Sequence, residues 1–345
     1  MVKINVCAAD AGQRMDKLIR RLLPKAPSSF IYKMLRKKNI VLNGKKAEGN
    51  EILKNGDVIL MYLSDDTIAH FGGRTHPSLS DHSDNRDDWN KKKKQASFAY
   101  IELGKQYPGL RILFEDHDIA AAYKPKGILS QKVKETDFSL NEWFLGYLLT
   151  TKEISEENLS LYPPSTQNRL DKETEGIVLL SKTLQGSQYL TRYQRQRSIK
   201  KWYDMIVVGH VDGEGSVTGW LTRTWQDNTV TFSNEKVNDH SVYSRTLYRP
   251  VTWSKNGKFT LVEAKLVTGR THQLRVHMAA IGHPIAGDPK YGNTKVNQML
   301  QKEGISSQML ICKKVEFPKT DHEFFDLSQK IIEVPLPSSF MQLLS

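Results

Sequence analysis

Between residues 15 and 23 the apolar positions Met15, Leu18, Ile19, Leu22 and Leu23 recur at i, i+3, i+4, i+7 and i+8. That is the period of a helix with one buried face, and Pro24 predicts its end. Ser28 or Ser29 then reads as the cap of a second helix, with Phe30, Ile31, Met34 and Leu35 facing inward. Arg36-Lys37-Lys38 closes it and suits the negative end of the helix dipole. The period then shortens. Ile40-Val41-Leu42 and Val58-Ile59-Leu60-Met61 read as strands, Asn43-Gly44 as a tight hairpin turn and Asn55-Gly56-Asp57 as a second turn.

After residue 63 the pattern is lost. Ser, Asp, Gly, His and Lys dominate to about residue 97, and apolar residues show no repeat. Residues 64–107 are therefore expected to be a flexible polar linker. His70, His76 and His82 recur at intervals of six but have no cysteine and no i, i+4 partner. They do not make a closed four-ligand metal set, and no metal site is expected. From residue 108 strands alternate with helices. Ile112–Phe114, Ile119–Tyr123 and runs at 203–208, 217–221, 229–232, 243–248, 259–266 and 308–317 read as strands. Ser139 caps a helix with Leu140, Trp143, Phe144, Tyr147 and Leu148 on one face, and Leu184–Arg195 reads as another helix. Many strands and few helices predict an α+β domain over 108–345 around a mixed, largely antiparallel sheet.

The chain has 345 residues, 39% of them apolar, enough for two domains. No apolar run approaches the roughly 20 residues that span a bilayer. Met1–Val6 has no signal-peptide pattern, and Cys7 and Cys312 suggest no disulfide framework, so the cytoplasm is the expected compartment and no membrane contact is expected. The formal charge of +12 favours a polyanionic partner. Residues 1–63 hold 13 Lys and Arg against 5 Asp and Glu, a net of +8. Charge concentrated on one small unit is the footprint of nucleic-acid binding, and Lys33, Arg36, Lys37, Lys38, Lys45 and Lys46 are the candidate phosphate contacts.

The candidate chemistry lies further along. Asn168-Arg169-Leu170-Asp171-Lys172-Glu173-Thr174-Glu175-Gly176 runs into the apolar stretch Ile177–Leu180. It puts a carboxylate on a polar turn anchored by a buried strand. An isolated Arg-x-Asp more often shapes the turn. A second segment, Gly269-Arg270-Thr271-His272-Gln273-Leu274-Arg275-Val276-His277-Met278, followed by Gly287-Asp288-Pro289-Lys290-Tyr291-Gly292, changes that balance. Lys124-Pro125-Lys126-Gly127 and Lys201-Trp202-Tyr203 complete a set of four motifs in order. Together they resemble the RluA family of RNA pseudouridine synthases, in its RluC/RluD-like branch. The helix-helix-hairpin unit of residues 1–63 resembles the small α/β S4 RNA-binding domain found in many of its members.

The resemblance implies a cofactor-free isomerase that detaches uracil from ribose and rejoins it through C5. It implies Asp171 as the catalytic carboxylate, Arg275 as its basic partner and Tyr203 as the active-site aromatic. Arg270, His272 and Gln273 are expected to build the wall of the site, and Arg169 to contact phosphate or support the loop. The implied substrate is large-subunit ribosomal RNA or an assembly intermediate, the implied state a monomer. A tRNA synthase is the nearest alternative, and a non-catalytic ribosome-assembly factor a more distant one. Two positions depart from the family pattern: Asn168 stands where His is usual and Glu175 where Ser or Thr is usual.

Overall fold

The first apolar period becomes α1 (Met15–Leu22), with Met15, Leu18, Ile19 and Leu22 buried, and the second becomes α2 (Ser28–Arg36). The cap of α2 differs from expectation. Pro27 occupies the N-cap position in an extended conformation, and the Ser28 hydroxyl instead accepts from Arg20 at 2.7 Å. These helices accompany an antiparallel sheet of β1 (Val2–Asn5), β2 (Ile40–Leu42), β3 (Lys45–Lys46) and β4 (Val58–Met61), in the order β1-β4-β2-β3. Asn43 and Gly44 both have positive φ, 50° and 72°, as the tight β2–β3 hairpin requires. The structure, a computed structural model of the chain, describes residues 2–6, 10–71, 84–134, 136–153, 163–224, 229–320 and 322–345. His76, His82 and Cys7 lie outside the described residues.

The segment expected to be a flexible linker contains helix. Ile68 of α3 (Asp65–His70) is buried in the N-terminal core. In α4 (Asp84–Gln106), Ala96, Ala99 and Leu103 are buried. Their spacing of three and four puts them on one face, which packs against α5 (Leu140–Thr150). Gly146 permits that approach: a Cβ there would stand 2.1 Å from the Ala96 carbonyl oxygen. Small residues on both helices thus supply the buried surface that the polar composition concealed.

The chain divides into two compact units, one of residues 1–121, 131–168 and 179–191, the other of 122–130, 169–178 and 192–345. Beyond the elements above, the first contains β5 (Arg111–Glu115), the start of β6 (Ile119–Lys124), β7 (Ser165–Thr166), the end of β8 (Glu175–Ser181) and most of α6 (Leu184–Arg195). The second contains β9 (Lys200–Val208), β10 (Gly215–Thr224), β11 (Thr229–Ser233), β12 (Val242–Trp253), β13 (Phe259–Leu266), α7 (Gln273–Ala280), α8 (Thr294–Lys302), β14 (Leu310–Glu316), β15 (Ile331–Glu333) and α9 (Ser338–Leu344). Its strands run antiparallel in the order β11-β10-β12-β13-β9-β14, with β15 on β14 and the first residues of β8 parallel to β14. This is the expected mixed, largely antiparallel sheet of an α+β fold. Among the described residues no helix is long and apolar enough to cross a membrane.

Two contacts fix the geometry of the second unit. Gly176, at φ 114°, lies so close to β14 that a Cβ would meet the Cys312 carbonyl oxygen at 2.3 Å. Only glycine meets both demands there, so β8 enters the sheet immediately after the Asp171 turn. On the other side, α7 rests on β12 through fully buried His277, whose ring nitrogens bond Ser244 Oγ at 2.8 Å and Thr246 Oγ1 at 2.9 Å.

Burial pushes the His277 imidazole pKa down to about 4, from an ordinary 6.5. Between those values the unfolded chain binds more protons than the folded one. The His277 contribution is therefore full above pH 6.5 and is lost as pH falls towards 4, by up to about 1.4 kcal/mol per pH unit. Urea unfolding at pH 7 and pH 5 should show the loss, and His277→Gln should flatten it. Equal pH slopes in the two proteins would show that the imidazole does not titrate on unfolding.

Candidate active site

The turn that carries Asp171 is stitched down on both sides. Ser130 Oγ donates to the Leu170 carbonyl and accepts from the Leu170 amide, each at 3.0 Å. The Lys124 ammonium, fully buried, donates to the carbonyls of Pro125 at 3.0 Å, Ile128 at 2.8 Å and Lys172 at 3.0 Å. The Gly127 amide bonds the same Lys172 carbonyl, and the Thr174 amide closes the turn onto the Asp171 carbonyl. Lys124-Pro125-Lys126-Gly127 is thus a clamp for the residue that follows the aspartate. Burial pushes the Lys124 pKa down to about 7, against the pull of Glu173, Asp171 and Glu175.

Arg275 meets Asp171 from α7. Its Nη1 donates to Asp171 Oδ2 at 3.0 Å, while Nε and Nη2 grip both oxygens of Asp288 at 2.7 and 2.8 Å. The Asp288 side chain is fully buried, Arg275 is 6% exposed and Asp171 29% exposed, so the charges run from the interior to the one carboxylate that solvent can reach. Asp288 Oδ1 also accepts the amides of Lys290 at 2.9 Å and Tyr291 at 3.2 Å. The Tyr291 ring lies 5.1 Å from the guanidinium carbon, a cation–π distance. Burial opposes the charge on Arg275, but Asp288 and then Asp171 overcome it and raise its pKa.

His272 stands at the head of α7 in a left-handed conformation, φ 53°. Its Nδ1 bonds Tyr291 Oη at 2.8 Å and its Nε2 lies 3.8 Å from Asp171 Oδ2. Burial, first, lowers its pKa; Asp171 raises it and Arg275 lowers it further. Tyr203 projects from β9, 6% exposed, directly opposite the buried Cys312 of β14. Burial drives the phenol pKa well above 10. Asp171, Arg275, His272 and Tyr203 are therefore brought together.

The other expected residues are placed differently. Gln273 is buried and fully engaged: its oxygen accepts from Thr268 Oγ1 and the Arg270 amide, and its nitrogen donates to the Arg245 carbonyl and Thr246 Oγ1. It holds the Gly269-Arg270 loop to β12 and does not line a wall. Arg270 is exposed, with Nε donating to the Tyr243 carbonyl at 3.3 Å, and Arg169 is exposed on the turn. Glu175 is 8% exposed, its carboxylate held by Tyr123 Oη at 2.6 Å and Lys126 Nζ at 3.6 Å. Asn168 Oδ1 accepts the Leu179 amide at 2.7 Å, so this departure braces the later part of β8. Sequence reasoning missed Asp288 and Tyr291 as parts of the site. Both lay inside the Gly287–Gly292 motif but were given no role there; the physical signal for Asp288 was that an arginine buried in a helix needs a buried counter-charge. Among the described residues no group of three or more His, Cys, Asp or Glu side chains is placed to hold a metal ion.

Residues 118–280 match the RNA pseudouridylate synthase family. Ribosomal large subunit pseudouridine synthase C of Vibrio cholerae is 28% identical over 95% of this chain and 90% of its own length. The enzyme of the same name from Rickettsia bellii is 27% identical over 95% and 96%. Ribosomal large subunit pseudouridine synthase D of Nitrosomonas europaea is 29% identical over 82% and 70%. Among solved structures, human RNA pseudouridylate synthase domain containing 4 shares the fold, with a TM-score of 0.54 at 20% identity over 73% of this chain and 96% of that one. The four motifs in order, the Asp171–Arg275 pair they assemble and these likenesses support an RluA-family protein similar to the RluC and RluD pseudouridine synthases.

Proposed function

We infer that this chain is an RNA pseudouridine synthase that isomerises uridines of large-subunit ribosomal RNA. One observation carries the chemistry: a partly exposed carboxylate, Asp171, fixed through one oxygen by an arginine whose other edge is locked to a buried aspartate. The relatives named for large-subunit RNA carry the substrate class.

Arg275 Nη1 and His272 Nε2 both approach Asp171 at Oδ2. That leaves Oδ1 to act on the ribose of a uridine turned out of its helix, either at C1′ as a nucleophile or on a sugar proton as a base. The N1–C1′ bond breaks, the uracil turns, C5 bonds to C1′, the C5 proton is lost and N1 takes up a proton, so the product is an isomer of the substrate. No redox change occurs, so the reaction needs no cofactor. Tyr203 stays a neutral phenol at physiological pH because burial raises its pKa. This favours a flat surface against the uracil over a role as the base that takes the C5 proton. The proposal includes a monomer working in the cytoplasm.

The N-terminal unit is proposed to be an S4-like RNA-binding domain. Lys33, Arg36, Lys37, Lys38, Lys45 and Lys46 are all exposed, at the end of α2 and on the β2–β3 hairpin that follows it. They suit phosphate contact, which gives affinity and position without sequence choice.

Tritium release from 5-tritiated uridine in large-subunit rRNA transcript should occur with wild type, and Asp171→Asn should reduce it by roughly a hundred- to ten-thousand-fold while RNA binding persists. Release from tRNA alone would keep the enzyme and overturn the substrate, whereas equal rates in both proteins would exclude Asp171. Asp288→Asn keeps the shape and removes the charge that fixes Arg275. It should lower kcat by about ten- to a hundred-fold with little change in KM; a raised KM with unchanged kcat would assign Asp288 to RNA binding. Replacing Arg36, Lys37, Lys38 and Lys45 by Glu should weaken rRNA binding and flatten its dependence on salt. An unaltered salt slope would sink the S4-like role.

A further inference from the structure

The sheet of the second unit has two faces. On one, Ser244 and Thr246 of β12 meet α7. On the other, Leu261 of β13 and its β9 partner Ile206 are buried. Past those residues the same face carries a ladder of cationic and aromatic side chains. Lys314 of β14 pairs with Trp202 of β9, Trp202 with Lys265 of β13, and Lys265 with Leu247 of β12. Two and four residues back along β12, on the same face, stand Arg245 and Tyr243, the latter opposite Trp220 of β10. Five strands at about 4.8 Å spacing make this ladder roughly 20 Å wide.

Its chemistry is not that of a solvated charge face. The Trp202 indole stands between two ammonium groups, Lys314 Nζ at 4.9 Å and Lys265 Nζ at 5.4 Å from the ring centre. Such contacts hold long side chains that would otherwise lose entropy on binding an anion. Tyr243 is 41% exposed, its ring braced edge-to-face by Trp220 at 6.0 Å. The carboxylates on this face have cations of their own. Glu316 has Lys314 at 3.0 Å and Lys200 at 3.7 Å, Glu263 has Arg249 at 2.7 Å, and Asp204 has Lys313 at 3.3 Å. Among the described residues Arg245 and Lys265 form no ion pair, so the face has a positive excess beside an open aromatic ring.

We propose that this sheet face is a second RNA-contacting surface. Lys265, Lys314 and Arg245 hold phosphates of the RNA flanking the target, and Tyr243 stacks on an unpaired base. Fixed cations interleaved with aromatic rings on an open sheet are what single-stranded nucleic acid requires. An acidic protein segment would match the charge but leave the tyrosine ring without a comparable partner. The proposal rests on the RNA pseudouridine synthase reading and adds a substrate-holding role to a face that the Asp171 site does not use.

The test compares wild type with the triple variant Tyr243→Ala, Arg245→Ala, Lys265→Ala. Its substrates are full large-subunit rRNA transcript and the shortest transcript fragment from which wild type still releases tritium. The variant should bind the full transcript about ten-fold or more weaker, with the slope of log affinity against log salt reduced by about two. It should keep kcat on the fragment at saturation. Arg245→Lys with Lys265→Arg should retain both affinity and slope, and crosslinking of 4-thiouridine RNA to wild type should recover the peptide containing Tyr243. Unchanged affinity and slope in the triple variant, with wild-type release intact, would overturn the surface and leave the synthase standing. No release by wild type from any RNA would instead overturn the enzyme reading. Unchanged RNA binding with lost capture of an acidic ribosomal protein would give the face to a protein partner and refute the proposal.

Discussion

The guanidinium of Arg275 stands between two carboxylates with opposite surroundings, and the site depends on that asymmetry. Asp288 is sealed and takes two of the three bonds; Asp171 is partly open and takes the third. A buried ion pair of this kind is a weak source of stability, since desolvating the charges offsets most of their attraction. Breaking it is another matter: removing one partner of a buried pair costs about 3–5 kcal/mol. The arrangement therefore gives direction more than strength. Asp288 fixes the plane of the guanidinium, which in turn fixes Oδ2 of Asp171.

The rest of the second unit keeps these groups in register. Asp171 comes from the turn that leads into β8, Arg275 from α7, and Asp288 from the loop after it. Three unrelated stretches must meet within a few tenths of an ångström. The Lys124 clamp, Gly176 against β14 and His277 against β12 each remove one freedom. Lys124 shows how close such a device runs to its limit. Burial takes its pKa to about 7, yet its three carbonyl acceptors use all three N–H donors that only the ammonium form possesses. The extra acid at Glu175 fits the same economy: Tyr123 and Lys126 hold it inside the fold, so it adds little negative field where RNA phosphates would pass.

Much of this was legible in the sequence. The α1 period, the Asn43-Gly44 hairpin and the buried strand after Asp171 follow from local patterns that depend on near neighbours. The misreadings share a cause, which is partners distant along the chain. Residues 94–106 looked like linker because three small or apolar residues form a helical face only when Gly146 lets α5 approach. Gln273–Met278 shows no amphipathic period because all six residues are buried. Gln273 looked like a substrate contact, but its four bonds go to a loop and a strand whose positions the local sequence does not disclose. Asp288 stood in the quoted Gly287–Gly292 motif, but its pairing with Arg275, thirteen residues away, was not legible there.

The placement of Tyr203 and Trp202 on adjacent positions of β9 joins the two faces of the sheet in one strand. Alternation sends Tyr203 towards Cys312 on the Asp171 side and Trp202 towards Lys265 and Lys314 on the other. A shift of one residue in the β9 register would exchange them, turning the indole onto the Asp171 face away from its two lysines, which stay on β13 and β14, and putting a buried phenol onto the open face. The pairing of β9 with both β13 and β14 over most of its length makes that shift costly. The same strand register that sets Tyr203 on the Asp171 side thus sets the geometry of the cationic ladder, and neither face can be altered by a register change without destroying the other.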